Sequence, residues 1–463
     1  MTSRRHSVAL ETSVIARLAT PVVLAQIGWM SLGLVDMWMV GHLGPEALAG
    51  VALGDLWIYG TLLVAQGVMM GLDPIVSQAH GAGEGARAGS ALQRGVVLAV
   101  LLSLPVMALW ALTGAVLRLT GQDPALAEVA QRYTTIQIFS PAPFLVFVAM
   151  RQYLQGRGIM LPMLAVVIVA NVMNAFLNWV FIYGKLGAPA MGAVGSGLST
   201  GITRTVMPLA LAGLIVALAL HREAWIPWSR SAFDVGEMRE ILEYGIPVGA
   251  QLGLEVWAFS IAGLFAGWLG ADQLAAHTIV LKLSAFSYMV ALGISHASAT
   301  RVGNLVGAGD RQEAQRAAWV AVGMAAGAMA LFAVAFTLFR HQLPAIFLPS
   351  GATAAIGFAA AILPIASAFQ VFDGTQAVGG GVLRGLGDTQ PAAWFNVVGY
   401  YVLGLPLAVF LAFRGEAWGL PGLGWGLPGI WIGLALGLGA VAVLLVIYIA
   451  RRGPGSAPAR ARR

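Results

Sequence analysis

Three acidic residues lie within strongly apolar stretches of the sequence, where an ionised side chain is costly. They are Asp36, Glu255 and Asp373, whereas most other acids lie in loops or near the ends of such stretches. Asp55 and Asp73 belong to that second group, and we interpret them as interfacial. A carboxylate at the centre of a bilayer costs roughly 3 kcal/mol and usually marks an ion or substrate pathway. We therefore predict that the first three acids bind a cation.

Polar residues accompany the two acids in the second half of the chain. Gln370, Asp373 and Gln376 are spaced three residues apart, which places them on one helix face. Gln251 lies one turn before Glu255. The helical rise places Glu255 roughly 21 Å and Asp373 roughly 25–28 Å below the outer end of their stretches. The two carboxylates are therefore predicted to share one depth, with Gln251, Gln370 and Gln376 along the substrate path.

Further polar residues are predicted at matching depths. Tyr288 lies level with Glu255, and Lys282, one of two lysines in the chain, lies a turn and a half higher. We interpret Lys282 as a counter-ion or as part of the substrate path. In the first half, Asn174 and Asn178 share a helix face in the same outer half as Asp36. Amide bonds between helices would explain these two asparagines equally well.

This chemistry suits the binding of a small cation. A carboxylate in a medium of low dielectric constant holds a proton more readily and can exchange it near neutral pH. Carboxylate, amide and hydroxyl oxygens could instead hold Na⁺, as they hold other hard cations. The residue types leave H⁺ and Na⁺ as alternatives, and they indicate no other metal and no cofactor.

The composition limits the class of protein. Of 463 residues, 59% are hydrophobic and 10% are charged, compared with about 25% charged in soluble domains. This balance indicates a protein with many membrane spans. The net charge of +6 does not indicate nucleic acid as a partner, because the arginines lie at the ends of the apolar stretches. Cysteine is absent, which excludes disulfides and thiolate metal sites.

Twelve apolar stretches are long enough to cross a bilayer as helices. The fold class predicted is therefore an all-α integral membrane protein. The stretches are 18–42, 48–76, 92–117, 130–150, 161–183, 193–220, 244–269, 275–300, 315–339, 354–382, 392–413 and 425–450.

The sequence repeats itself at a step of about 226 residues. Pro21 recurs as Pro247, and Gly81-Ala82-Gly83-Glu84 recurs as Gly307-Ala308-Gly309-Asp310. Six spans per repeat give both halves the same orientation, which makes them parallel repeats with a transport pathway expected between them. The domains predicted are a lead-in at 1–17, an amino-terminal lobe at 18–220, a linker at 221–243, a carboxy-terminal lobe at 244–450 and a basic tail at 451–463.

The basic residues predict the orientation in the membrane. Of the 26 lysines and arginines, 19 fall in the segments on the side of both termini and five on the other side. Both termini are therefore predicted to be cytoplasmic. The lead-in lacks a signal-peptide pattern, so we expect it to be retained. The tail would contact anionic lipid, and the chain is expected to be a monomer.

Motifs of enzymes and ATP-driven pumps are missing or lack their context. The segment Gly197–Gly201 matches the nucleophile-elbow pattern but lies inside an apolar span, so we interpret its glycines as packing residues. The sequence contains no phosphate-binding loop of the Walker type. No histidine pair has the spacing of helical metal ligands. We expect no catalytic residues and no enzymatic activity.

At the acidic residues the sequence resembles a known family, the multidrug and toxic compound extrusion (MATE) transporters, and in particular its NorM-like branch. The resemblance extends over about residues 14–450. It rests on the repeat together with four segments, Gly33–Met37, Gly245–Pro247 leading to Glu255, Phe369–Gln376 and Leu383–Gly385.

The resemblance implies two six-helix lobes in a V shape and the export of organic cations or drugs by exchange for Na⁺ or H⁺. It implies a bacterial inner-membrane protein that contributes to antibiotic resistance. An amino-terminal cation site is implied at Asp36, Asn174, Asn178 and Thr200, and a carboxy-terminal one at Glu255, Asp373 and Tyr288. One departure is Gly253, which stands where relatives can have an aromatic residue, so a cation–π contact with the coupling ion is not expected there.

Three alternatives compete with this interpretation. A flippase for lipid precursors would need a basic cavity for phosphate, but only Lys282 and Arg204 lie within spans. A major facilitator would show a basic motif between its second and third spans, where Ser77–Arg94 shows none. A membrane enzyme would need catalytic groups clustered at one surface. The flippase is the strongest of the three.

Overall fold

The computed structural model describes residues 2–348, 351–415 and 422–456, with side chains described from Val8 onward. This part of the chain is helical apart from its connections and an isolated bridge between Arg414 and Leu423, and it contains no β-strand. The all-α prediction is therefore confirmed. Most of the predicted basic tail, from residue 457 onward, and the side chains of Arg4 and Arg5 lie outside the described part.

The helices before the linker alternate between long segments and shorter ones. In chain order they are α1 (Thr2–Gly41), α2 (Pro45–Met69), α3 (Leu72–Gly81), α4 (Gly85–Ala111), α5 (Thr113–Leu119), α6 (Pro124–Ile136), α7 (Pro141–Gly156), α8 (Leu161–Tyr183) and α9 (Ala193–Ala217).

The helices after the linker follow a similar order of long segments. They are α10 (Val235–Trp268), α11 (Ala271–Gly307), α12 (Arg311–Leu338), α13 (Gln342–Phe347), α14 (Thr353–Leu386), α15 (Gln390–Asn396), α16 (Leu405–Ala412) and α17 (Leu427–Arg452). A π-helix over Val397–Gly404 joins α15 to α16.

Eleven helical segments of the described chain are long and apolar enough to cross a membrane, or twelve if the bent pair α6–α7 counts as one span. Each of the twelve predicted spans has a counterpart among them. The chain is therefore a multi-pass membrane protein. Several helices continue past the predicted ends; α11, for example, has 37 residues, about 55 Å against a hydrocarbon core of roughly 30 Å.

The fourth span is the one that the sequence predicted incorrectly, because it is not continuous over 130–150. It bends by 59° between α6 and α7. Pro141, at the start of α7, lacks a backbone donor and disfavours helical geometry in the preceding residue. At the bend the side chain of Gln137 donates to the carbonyl oxygen of Tyr133 at 3.1 Å, which satisfies an acceptor at the end of α6.

The chain divides into two compact units, one of residues 24–249 and the other of residues 1–23 with 250–463. We call them the first unit and the second unit. The divisions fall inside α1 and α10, two residues after Pro21 and after Pro247, so they too are 226 residues apart. The predicted lobes, 18–220 and 244–450, differ from these units at α1 and at the linker.

Packing explains why the start of α1 belongs to the second unit. Glu11 forms a buried ion pair with Arg301 of α11. Ile15 and Ala19 lie in a hydrophobic cluster with Ala297 and with residues of α12, α14 and α17. The predicted lead-in over 1–17 is thus a continuous part of α1.

The linker is shorter than predicted, because α10 begins at Val235 rather than near residue 244. The segment before it packs on the first turns of α4 within the first unit. Gln93 donates to the carbonyl oxygen of Ile226 at 2.8 Å, and Arg94 pairs with Glu237. A side chain at Gly89 would overlap the carbonyl oxygen of Ala224, so the glycine permits this close approach.

Candidate cation-binding sites

In the first unit, helices α1, α8 and α9 bring four buried polar side chains into a closed ring. Asn178 donates to Asp36 Oδ1 at 2.5 Å, and Thr200 donates to Asp36 Oδ2 at 2.9 Å. Asn178 also donates to Asn174 Oδ1 at 3.1 Å, and Asn174 donates to Thr200 Oγ1 at 3.3 Å. We call these four residues the amino-terminal site.

Each member of this ring is held by regular helix geometry. Asn174 and Asn178 are one turn apart on α8, and their side chains are 1% and 0% exposed. Helices α8 and α9 approach closely where Gly195 faces the carbonyl oxygen of Phe181. Both oxygens of the Asp36 carboxylate therefore have neutral donors, and Asn178 Oδ1 remains as a buried acceptor without a partner.

In the second unit, helices α10 and α14 bring Glu255 and Asp373 together. Gln376 donates to Glu255 Oε2 at 3.2 Å and to Asn396 Oδ1 at 3.1 Å. The two carboxylates interact electrostatically with each other. We call Glu255, Asp373, Gln376 and Asn396 the carboxy-terminal site.

This second site leaves polar atoms unsatisfied. Asp373 Oδ1 and Gln370 Nε2 are buried without a hydrogen-bond partner, while Gln370 accepts a bond from Ser287 at 2.9 Å. Neither Glu255 nor Asp373 forms an ion pair with a basic side chain in the described part of the chain. Two like charges buried without a cation are costly, so the geometry favours the uptake of one.

The π-helix supplies residues to this site that the sequence did not single out. It begins directly after Asn396 and carries Tyr400, whose hydroxyl donates to Gln376 Oε1 at 3.4 Å. Tyr401 donates to the carbonyl oxygen of Leu254 at 2.8 Å, next to Glu255. A polar pair four residues apart in an otherwise apolar span was the signal that could have identified Asn396 and Tyr400.

Three further residues predicted for the carboxy-terminal half have different surroundings. Tyr288 packs against Met329 and Ala377, although it interacts electrostatically with Tyr400. Gln251 is buried beside Gly380, one turn away from Glu255. Lys282 is exposed and forms no ion pair with any described acid, so its role as a counter-ion or as part of the substrate path stays a prediction.

A second polar group of the first unit lies beside the amino-terminal site. Asp55 lies in α2, about 15 Å from the start of the helix at Pro45, and accepts a hydrogen bond from the Tyr133 hydroxyl at 2.7 Å. Arg204 of α9 donates to Gln137 Oε1 at 2.9 Å. The interfacial interpretation of Asp55 is therefore wrong. The sequence feature that could have revealed this polar group is Arg204, an arginine within an apolar span.

Asp73 lies further along the same span. It is buried in α3, 6% exposed, and accepts a hydrogen bond from Gln152 of α7 at 2.7 Å. The glycines of the Gly197–Gly201 segment pack α9 against α6 and the bend that follows it, with Gly197 facing the carbonyl oxygen of Tyr133 and Gly201 facing Gln137. This confirms their interpretation as packing residues.

The described residues contain no group of three or more histidines, cysteines and acids that could hold a metal ion. A bound Na⁺ would therefore need amide and hydroxyl oxygens besides carboxylates. Both sites contain such oxygens, on Asn174 and Thr200 in one and on Gln376 and Asn396 in the other. A proton would need only the carboxylates.

Comparisons with known proteins agree with this architecture. A family model described as MatE matches the chain twice, over residues 21–180 and 247–410. The probable multidrug resistance protein NorM of Mesorhizobium japonicum is 36% identical over 442 residues, which cover 94% of this chain and 92% of that protein. The multidrug resistance protein NorM of Burkholderia vietnamiensis is 36% identical over 435 residues, or 93% of this chain and 92% of that protein.

Solved structures show the same fold. The crystal structure of the eukaryotic MATE transporter AtDTX14 superimposes with a TM-score of 0.87, covers 97% of each chain and is 24% identical in sequence. The fold is thus retained at a low sequence identity.

Proposed function

The chain belongs to the MatE family of membrane transporters, and from this premise we propose that it is a secondary antiporter that exports organic cations in exchange for Na⁺ or H⁺. Its relatives are named as multidrug resistance proteins, and we propose that it needs no cofactor besides the coupling ion. The observation that supports the proposal is the pair Glu255 and Asp373, two buried carboxylates that form no ion pair with any basic side chain in the described part of the chain.

The carboxylate pair explains how two different cations could compete. A proton or Na⁺ bound at Glu255 and Asp373 lowers the net negative charge of the carboxy-terminal site. A cationic drug is then held less tightly, because the attraction between opposite charges falls. Exchange becomes transport when the coupling cation binds one of two conformations more strongly than the other.

The amino-terminal site is proposed as a second binding site for the coupling cation. Its ring of amide and hydroxyl groups around Asp36 holds the carboxylate in one geometry. Tyr288 is kept as a proposed member of the carboxy-terminal half through its electrostatic interaction with Tyr400. Gln251 and Gln370 are proposed to line the substrate path.

We also propose a location and an orientation for the protein in the cell. Its bacterial relatives and its apolar helices support a place in the cytoplasmic membrane. We propose that both termini face the cytoplasm, because most lysines and arginines fall in the segments on their side. We propose that it works as a monomer surrounded by lipid, with amphipathic cationic drugs as its substrates.

Ethidium efflux from proteoliposomes tests the proposal. The purified protein is reconstituted, and either a Na⁺ gradient or a pH gradient is imposed. We expect efflux under one of them and none in liposomes without protein. Absence of efflux under both gradients, with ethidium and with a second cationic dye, would contradict antiport of organic cations.

A further inference from the structure

Asp55 and Tyr133 form a buried contact that the proposed exchange at Asp36 does not use. The Tyr133 hydroxyl donates to Asp55 Oδ1 at 2.7 Å, and the tyrosine side chain is 1% exposed. Asp55 also interacts electrostatically with Asp36. The first unit therefore contains two interacting carboxylates, as the second unit does.

Arg204 distinguishes the first unit from the second. Its guanidinium donates to Gln137 Oε1 and lies over the rings of Trp110, at 5.9 Å, and Phe144, at 5.7 Å. It interacts electrostatically with both Asp55 and Asp36. It forms no direct ion pair with either acid among the described residues.

A chain of hydrogen bonds fixes the arginine relative to Asp55. The chain runs from Arg204 to Gln137 Oε1, from Gln137 Nε2 to the carbonyl oxygen of Tyr133, and from the Tyr133 hydroxyl to Asp55. The bend between α6 and α7 creates the free carbonyl oxygen that Gln137 uses. A guanidinium stays charged under all physiological conditions, so this positive charge is permanent.

These contacts give the two units different net charges around their carboxylates. Two carboxylates and one guanidinium give the first unit a net charge of −1 at this place when both acids are ionised. The carboxy-terminal site has two carboxylates and no ion pair with a described basic side chain, so under the same condition its net charge is −2. A permanent cation beside the first pair removes one of the charges that a mobile cation would otherwise neutralise.

We propose that Arg204 is a built-in counter-cation that, with Asp55 and Tyr133, limits the amino-terminal site to one exchangeable positive charge. This inference rests on the proposed function, because it specifies how many charges that site exchanges. Arg204 acts through the carboxylates and is a positioning residue. The Trp110 and Phe144 rings and Gln137 hold it in place.

The test measures cation binding by purified protein in detergent and requires no transported drug. All variants are made in one starting protein, which we call the parent. It carries Glu255→Gln and Asp373→Asn, so that the amino-terminal site is the cation site that remains. Binding of Na⁺ is followed with ²²Na⁺, and uptake of H⁺ with a pH indicator. The variants are Arg204→Gln, Arg204→Lys and Arg204→Gln combined with Asp55→Asn.

We expect the parent to bind one positive charge in the measured range. Arg204→Gln should bind a second charge, or bind the first about tenfold more tightly, because a buried repulsion is lost. Arg204→Lys should resemble the parent, since it keeps the charge. The double variant should also return to the parent value, because it removes one charge of each sign.

A purely structural role of Arg204 predicts a different pattern. The double variant would then bind as abnormally as Arg204→Gln, since both lack the ring contacts and the bond to Gln137. That result would overturn the inference, as would a parent that binds no cation at all. Failure of the proposed transport function appears separately, as absence of efflux from proteoliposomes of the unaltered protein.

Discussion

The two carboxylate sites satisfy their acids in opposite ways. In the amino-terminal site both oxygens of Asp36 accept hydrogen bonds, from Asn178 and from Thr200. In the carboxy-terminal site Asp373 Oδ1 has no hydrogen-bond partner among the described residues, and the carboxylate interacts electrostatically with another acid, Glu255. In the first site both carboxylate oxygens are satisfied and the atom left over is an amide oxygen, Asn178 Oδ1, whereas in the second site an oxygen of a carboxylate is left over.

This difference assigns different roles to halves that share one sequence plan. The repeat duplicated the spans but not the acids, since Ala262 stands at the position of Asp36 and Trp29 at that of Glu255. A site with an unmet charge changes its energy most when a cation binds. We therefore expect the carboxy-terminal site to couple transport and the amino-terminal site to adjust it.

Neutralising the carboxy-terminal pair should have the largest effect. Glu255→Gln or Asp373→Asn should reduce gradient-driven ethidium efflux to the level of empty liposomes, because the charge that exchanges cations is lost. Asp272→Asn, at an exposed acid at the start of α11, is the matched control and should transport normally. Equal efflux by Glu255→Gln and Asp272→Asn would contradict a coupling role for the carboxy-terminal site.

Neutralising the amino-terminal acid should have a smaller effect on transport. Asp36→Asn should reduce the initial rate of efflux about tenfold and leave it dependent on the gradient, a loss of roughly 1.4 kcal/mol. The ring geometry would be partly retained by Asn174 and Thr200. A complete loss of efflux would show that the two sites contribute equally.

Thermal stability should change in opposite directions in the two sites. Asp36→Asn loses charge-assisted hydrogen bonds and should destabilise the protein by about 2 kcal/mol. Asp373→Asn removes a buried charge without a partner and should stabilise it by a similar amount. Melting curves of both variants at pH 8 without Na⁺ show whether each one is stabilised or destabilised. Destabilisation by Asp373→Asn would contradict the proposed cost of burying this carboxylate.

Lys282→Gln should have the smallest effect. The side chain is exposed and forms no ion pair with a described acid, so efflux should stay within about twofold of the unaltered protein and stability within about 0.5 kcal/mol. Efflux assays and melting curves measure both quantities. A large loss of efflux would place a cation in the carboxy-terminal site and would remove the contrast between the two units.

The sequence predicted the spans well because each depends on local composition. The apolar stretches, the repeat and the three intramembrane acids all follow from residue type and spacing. The bend in the fourth span depends on Pro141 within an apolar pattern that continues through it. Composition alone does not register such a break.

Contacts between helices were harder to predict. The partners of Asp36 include Thr200, which was implied by resemblance and not by spacing, since 164 residues separate the two. Asn396 accepts a hydrogen bond from Gln376 of the preceding span, and Lys282 is exposed although Ser287 on the same helix bonds to Gln370. Helix rotation decides each of these contacts, and hydropathy does not determine it.

Release of the coupling cation by a drug shows directly which carboxylate site exchanges the cation. Tetraphenylphosphonium is added to the purified protein, and released H⁺ or ²²Na⁺ is measured for the unaltered protein, Glu255→Gln and Asp36→Asn. We predict release from the unaltered protein and from Asp36→Asn, but none from Glu255→Gln. Undiminished release from Glu255→Gln would contradict the assignment of coupling to the carboxy-terminal pair.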